Sequence, residues 1–351
     1  MLFFVIGLPG RFGEGCEAVV AGTVRDALGA VRPISADTLE EITQRLLCSG
    51  SAHGVVAARH PGGRIRHALI EARRPFIVVR DDPWMSLAHL VVGRGMAMPA
   101  ATRQVASSCA SVIGFGSAPG ALVLDAKHGN LMSTARAIAD HLQLEIADGA
   151  IRQIVGGLDG ERDLDYSSET AAWQSELDPR EREIASGALG PYLDGFPGDG
   201  LGPIVWAPEL FFAGDSAGAP GTGGVDITGR ARCLLRGPHI LLPPANWSFA
   251  ITLDVSAEAA EHSFVVEAAG GAVTSRTVIR PAGAGIVEAE LTLSLEELPD
   301  RPIELVLSNQ RPAFGGHLSL LSVTATPQPS PPAVTSSEGA ARNPDLQPVA
   351  Q

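Results

Sequence analysis

A chain of 351 residues is longer than one hydrophobic core usually serves, so two compact domains are expected. Its 45% hydrophobic and 19% charged residues make it a folding, globular chain and exclude a largely disordered one. The formal net charge of −13 argues against broad attraction to nucleic acid or anionic membrane, so any anion site must be local.

The opening run "LFFVIGL" is too short to span a bilayer. No basic residue precedes it and no small-residue cleavage site follows, so it reads as a buried strand and no integral membrane segment is expected. Through the glycine-rich "GLPGRFGEG" the chain enters a helix, "EGCEAVVAGTVRDALG", stopped at Gly29. "RPISA" is a second strand, and a helix over "DTLEEITQRLLCSG" opens with a capping pattern at Thr38 and Glu41. "HGVVAAR" and "PFIVVRD" are further buried strands, the latter followed by a helix near "WMSLAHLVVGRG". A long helix through "AATRQVASSCASVIGF", the strand "GALVLDA" and the helix "LMSTARAIADHLQL" complete the alternation. This pattern predicts a three-layer α/β domain, a parallel sheet wrapped by helices, over residues 1–150.

Residues 151–200 are more polar and end in "GPYLDGFPGDGLGP", which reads as a helical connector and linker. From 201 to 327 short stretches with period-two alternation, such as "NWSFAITLDVSA" and "GIVEAELTLSL", follow one another between Gly, Pro and Asn turns. They predict an all-β sandwich or jelly roll. The tail 328–351 is rich in Pro, Ser and Ala and is expected to be disordered. Cys16, Cys48, Cys109 and Cys233 are widely spaced, which suggests neither a zinc cluster nor a disulfide framework; no metal site is expected, and a reducing cytoplasm fits best.

Chemistry concentrates at three places. A Gly-x-Pro turn between a strand and a helix lets backbone amides converge on an anion, aided by the helix N-terminus. Gly7, Pro9, Gly10 and Arg11 have that placement, although the Lys and hydroxyl residue of a full nucleotide-binding P-loop are missing. A tight turn with no ligand is the competing reading. His60, at the end of a strand, is either a general base or an ordinary loop histidine. Arg80 either binds a phosphate or pairs with Asp81 or Asp82.

The order of these pieces resembles the sulfotransferases, a P-loop-type family that transfers a sulfuryl group from 3′-phosphoadenosine-5′-phosphosulfate. Gly7 and Pro9 match the first turn of that family, with Arg11 one place beyond its cation. "AARHPGG" resembles the segment supplying the base, through Arg59, His60 and Pro61. "IVVRDDPWMSLAHL" is similar to the Val-Arg-Asp-Pro corner through Arg80, Asp82, Pro83 and Ser86, with one extra Asp shifting the register. "GALVLDAKHGNLMSTARAIADHLQLEI" resembles the family's later strand and helix. The resemblance covers about the first 150 residues. It implies His60 as base, Gly7, Pro9, Gly10 and Arg11 on the donor's 5′ side, and Arg80 with Ser86 on the 3′-phosphate. It also requires the opening turn and the Arg-Asp-Asp-Pro corner to stand side by side at the carboxyl edge of one sheet.

In the second half, "RARCLLRGPHILLPPANWSFAITLDV" resembles a β-sandwich appended to bacterial polysaccharide-assembly proteins, through Gly237, Pro238, Leu242, Pro243 and Trp247. Sugars stack on tryptophan while amides and charged groups take hydroxyls, which nominates Trp206, Trp247, Asn309 and Arg311. The competing reading places the tryptophans in the sandwich core. Two functions follow from these resemblances. One is sulfuryl transfer to a sugar hydroxyl in bacterial surface polysaccharide biosynthesis or modification. The other is a catalytically inactive glycan-binding or scaffold protein, partnered by a glycan intermediate or by polysaccharide-assembly proteins.

Overall fold

The computed structural model describes residues 1–47, 52–126, 131–158, 167–193, 200–214 and 221–328. Five strands, β1 (Leu2–Gly7), β2 (Val31–Ser35), β3 (His53–Ala58), β4 (Phe76–Arg80) and β5 (Ala121–Asp125), form a parallel sheet in the order β2-β3-β1-β4-β5. The helices are α1 (Arg11–Leu28), α2 (Leu39–Leu47), α3 (Gly63–Glu71), α4 (Pro83–Ala88), α5 (Met98–Gly116), α6 (Leu131–His141), α7 (Asp148–Gly157), α8 (Ser167–Glu176) and α9 (Pro179–Leu189). The capping pattern before α2 is realised in its Thr38 half: the Glu41 amide donates to Thr38 Oγ1 at 3.2 Å, while Glu41 Oε2 accepts from the amide of Asp37, one residue before the cap, at 3.1 Å.

Strand side chains alternate between faces, and this decides which helices lie where. Phe3, Val5, Val55, Ile77 and Val79 pack with α1, α6 and α7. Phe4, Ile6, Val56, Ala58, Phe76 and Val78 pack with α2, α3 and α5 on the other face. The chain therefore leaves β1 toward β2 along one face and leaves β4 toward β5 along the other. The carboxyl edge between β1 and β4 is the topological switch point, where open α/β sheets place ligands. Gly7 stands opposite Val79 there, and a Cβ on Gly7 would come 2.6 Å from the Val79 carbonyl oxygen, so the close approach of these strands requires glycine. The opening turn and the Arg-Asp-Asp-Pro corner are indeed neighbours.

Two antiparallel sheets make the sandwich. Its strands are β6 (Ile204–Trp206), β7 (Phe212–Ala213), β8 (Val225–Asp226), β9 (Cys233–Ile240), β10 (Ala245–Val255), β11 (Phe264–Gly270), β12 (Val273–Ile279), β13 (Gly285–Leu295), β14 (Ile303–Asn309) and β15 (His317–Gln328). One sheet runs β13-β10-β15-β6 with β8 also on β15, and the other runs β12-β11-β14-β9-β7. Along β10, Trp247, Phe249, Ile251, Leu253 and Val255 all point into the core.

Helix α9 joins the two halves. Asp178 caps it, accepting from the Arg180 amide at 2.8 Å, and α9 packs on α5 and β6. The apolar core thus runs without a break from the α5 face of the parallel sheet into the sandwich. Polar contacts reinforce the joint: Arg180 makes a forked pair with Glu209 at 2.7 and 2.8 Å, and the Gly63 amide donates to Asp300 Oδ1 at 2.5 Å. Among the described residues no helix is long and apolar enough to cross a membrane. The predicted tail begins at Gln328, which closes β15; residues 329–351, and 194–199 of the predicted linker, lie outside the described residues.

Candidate functional site

The turn after β1 is shorter than its glycines suggest. Helix α1 begins at Arg11 rather than Glu14, because the Glu14 amide already bonds to the Gly10 carbonyl at 2.9 Å and closes the first turn. Only Leu8, Pro9 and Gly10 remain between strand and helix, and all three are buried. Arg11 is exposed and reaches Glu169 of α8 at 3.4 Å. Glu14 is held by Arg94 at 2.6 Å and His89 at 3.2 Å; burial pushes the His89 pKa down, opposed by the neighbouring Glu14. Arg59 pairs with Glu17 and donates to the Leu8 carbonyl at 3.3 Å. The cations around the turn are thus engaged by the protein's own acids and carbonyls.

At the neighbouring corner the extra aspartate is a helix cap: Asp82 Oδ1 accepts from the Trp84 amide at 2.8 Å, with Pro83 at the first helical position. Ser86 is a correction to the resemblance. It is 0% exposed and its hydroxyl has no hydrogen-bond partner among the described residues, so a phosphate arriving from solvent does not reach it. Arg80 shares the sheet face of Val78 and lies against α5, where a Cβ on Gly116 would sit 2.9 Å from Arg80 Nη2.

His60 also belongs to the α5 face, with Arg59 pointing to the α1 face. Asp37 orients the segment, accepting from the Arg59 and His60 amides at 2.7 Å each, with Oδ2 3.7 Å from His60 Nδ1. Burial pushes the Asp37 carboxyl up, but the His60 side chain and these amides outweigh it and hold it below its usual value. On the other side, His60 Nε2 is 3.1 Å from both the Gln104 carbonyl and Ser108 Oγ. The ring is held between Asp37 and α5 and borders a cleft, not the turn after β1. From Ser108 to Gly116 the helix rises roughly 12 Å, which separates His60 from Arg80 along α5.

The cleft measures about 500 Å³ and lies between the domains. The α/β domain contributes His60, Arg103 and Gln104, and the sandwich contributes His239 and Asp300; Pro61, Pro299, Pro302 and Leu241 supply apolar wall. Arg103 sits over the Phe212 ring at 4.5 Å and donates to the Leu210 carbonyl at 3.3 Å. Phe212 in turn lies 5.6 Å from the His239 ring, so guanidinium, phenyl and imidazole stack into one wall. His239 takes a left-handed backbone, φ 60°, which turns its ring into the cleft. Burial pushes its pKa down, opposed by Glu304 at 3.8 Å, and Arg236 and Arg103 push it further down.

The sandwich candidates fare differently. Trp206 is 0% and Trp247 1% exposed, both packed in the core, and Trp247 Nε1 donates to the Pro243 carbonyl at 3.0 Å. No sugar can stack on either; the core reading holds. Asn309 is also buried, bracing a turn by accepting from the Arg232 amide at 2.7 Å and donating to the Arg311 carbonyl at 3.1 Å. Arg311 alone of the four is exposed, near Phe314, which is fully exposed and was not singled out by its sequence. Arg103, Gln104, His239 and Asp300 were likewise missed as site residues. Among the described residues no group of three or more His, Cys, Asp or Glu is placed to hold a metal ion. Cys16 and Cys109 are buried, and burial pushes both thiols far up.

No family model and no curated protein matches the chain. Among solved structures it is similar to a carbohydrate-binding module, TmCBM61, determined in complex with β-1,4-galactotriose, at 9% identity over 36% of this chain and 88% of that one, with a TM-score of 0.24. A second, a family 16 carbohydrate-binding module, shows 9% identity over 28% of this chain and 74% of that one, TM-score 0.23. A ruminal GH26 endo-β-1,4-mannanase shows 12% identity over 37% of this chain and 27% of that one, TM-score 0.21. With TM-scores this low, the functional reading rests on the cleft itself.

Proposed function

We propose that this chain is a glycan-binding protein of polysaccharide assembly or modification, and that the glycan lies in the cleft between the α/β domain and the sandwich. The observation that carries the reading is the convergence of His60, Arg103 and Gln104 from one domain with His239 and Asp300 from the other on a single cleft of about 500 Å³. Ligand sites concentrate at domain interfaces, and a mixture of donors and acceptors set in apolar wall suits a molecule with many hydroxyls and apolar ring faces. The sandwich resemblance fits the same picture, since its Gly237-Pro238 pair, within β9, immediately precedes His239 of the cleft.

Sulfuryl transfer from 3′-phosphoadenosine-5′-phosphosulfate is the second reading. It is favoured by one observation, the adjacency of the Gly7–Arg11 turn and the Arg80–Pro83 corner at the switch point of the sheet. Against it, Ser86 is enclosed, Arg11 faces Glu169, and His60 borders the cleft instead of that turn. Two binding measurements on the full chain separate the readings. A glycan array is expected to yield at least one ligand with saturable binding, and titration with adenosine 3′,5′-bisphosphate is expected to give no heat. A blank array would overturn the glycan reading, and saturable nucleotide binding would establish the second.

A further inference from the structure

Arg103 is the one strong charge of the cleft that the protein leaves without a counter-ion among the described residues. Its guanidinium is half-buried, and the contacts it makes are to a neutral carbonyl, Leu210, and to the Phe212 ring. The cleft's own carboxylate, Asp300, is turned to the Gly63 amide instead. His239 beside it, whose pKa burial pushes down, is disfavoured as a second cation. Several other arginines of this acidic chain are matched: Arg59 with Glu17, Arg64 with Glu40, Arg94 with Glu14 and Arg180 with Glu209. Burying a guanidinium away from an acid costs solvation that a typical hydrogen bond to a carbonyl does not recover, and an anionic ligand would supply the missing partner. Burial alone pushes the Arg103 pKa down, with no acid opposing, although the group stays charged.

We propose that the cleft takes an acidic sugar, whose carboxylate is received by Arg103 while the ring lies between Gln104, His60 and His239. The proposal rests on the glycan reading above and narrows it. Phe212 and the Leu210 carbonyl fix the plane of the guanidinium, and the edge not used by Leu210 offers the parallel N–H groups that fit a carboxylate fork. A net charge of −13 repels acidic glycans at long range, so this local cation also explains how such a ligand is accepted.

The test is titration calorimetry on the full chain with two oligosaccharides of identical linkage, one of glucose and one of glucuronate, at low and at moderate salt. Wild type is expected to bind the glucuronate oligomer about tenfold or more tightly, the size of one charge-assisted hydrogen bond, with the advantage shrinking as salt rises. Arg103→Met is expected to lose the preference and bind the two oligomers alike, and Arg103→Lys to retain part of the preference; thermal melting of both variants reports whether they are folded. Equal binding of the two sugars by wild type overturns the acidic-sugar assignment and leaves the glycan reading standing. Binding of neither sugar, with no response to anions, overturns both. If neither sugar binds but inorganic sulfate at matched ionic strength raises the melting temperature of wild type and not of Arg103→Met, the anion subsite stands and the glycan reading falls.

Discussion

Ser107 on α5 and Leu241 just beyond β9 meet across the domain boundary: Ser107 Oγ accepts the Leu241 amide at 3.0 Å, and both residues are buried. Residues 134 apart in sequence thereby pin the sandwich to the sheet beside the cleft. Ser107→Ala strands a buried N–H, and the cost of such a donor is about 1–3 kcal/mol. Urea unfolding of the full chain should register that loss, and a change within error of zero would mean the amide finds another partner.

The buried tryptophans carry stability. Trp247→Ala removes a core side chain and its bond to Pro243, and should cost roughly 3–5 kcal/mol. Trp247→Phe, which keeps most of the volume, should restore folding and leave glycan affinity unchanged at 25 °C. A folded Trp247→Phe with binding abolished would return this residue to the site.

Asp37 ties stability to acid. Its folded pKa lies below the ordinary value of about 3.9, so its contribution is complete above about pH 4 and declines as pH falls through the lowered folded value. The advantage of wild type over Asp37→Asn, followed by melting temperature, should therefore be full at pH 5 to 7 and shrink below pH 4. A gap between the two proteins that stays constant down to pH 2.5 would show that the carboxylate's charge is not what matters.

Arg11 and Glu169 form an ion pair with side chains 50% and 70% exposed, so solvent screens it. A double-mutant cycle to alanine should give a coupling energy of about 0–1 kcal/mol, and it should fade in 0.5 M salt. A larger, salt-insensitive coupling would indicate a tighter clasp of α8 on the turn than this geometry provides.

Much of the fold is legible in the residues alone, because period-two alternation and capping chemistry are local. "GIVEAELTLSL" is β13 to the residue, and Thr38 caps α2 through the Glu41 amide. The turn after β1 is misjudged because glycines mark where a loop can be, whereas the bond from the Glu14 amide to Gly10 decides where the helix begins. The tryptophans carry no local mark of their side of the sheet beyond the alternation of β10, which places Trp247 in line with Phe249 and Ile251. The cleft is the least legible part. Arg103 and Gln104 sit inside an ordinary amphipathic helix, and Asp300 meets Gly63 over a separation of 237 residues, so only the docking of the domains assembles them.

The location of the bound glycan tests the central claim most directly. Ala100 lines the cleft from the first turn of α5 without entering the core, so Ala100→Trp fills the space while sparing the fold. Calorimetric titration of the best array ligand into this variant should show affinity reduced at least about tenfold at an unchanged melting temperature. Undiminished affinity in a folded Ala100→Trp protein would place the glycan elsewhere and contradict the account.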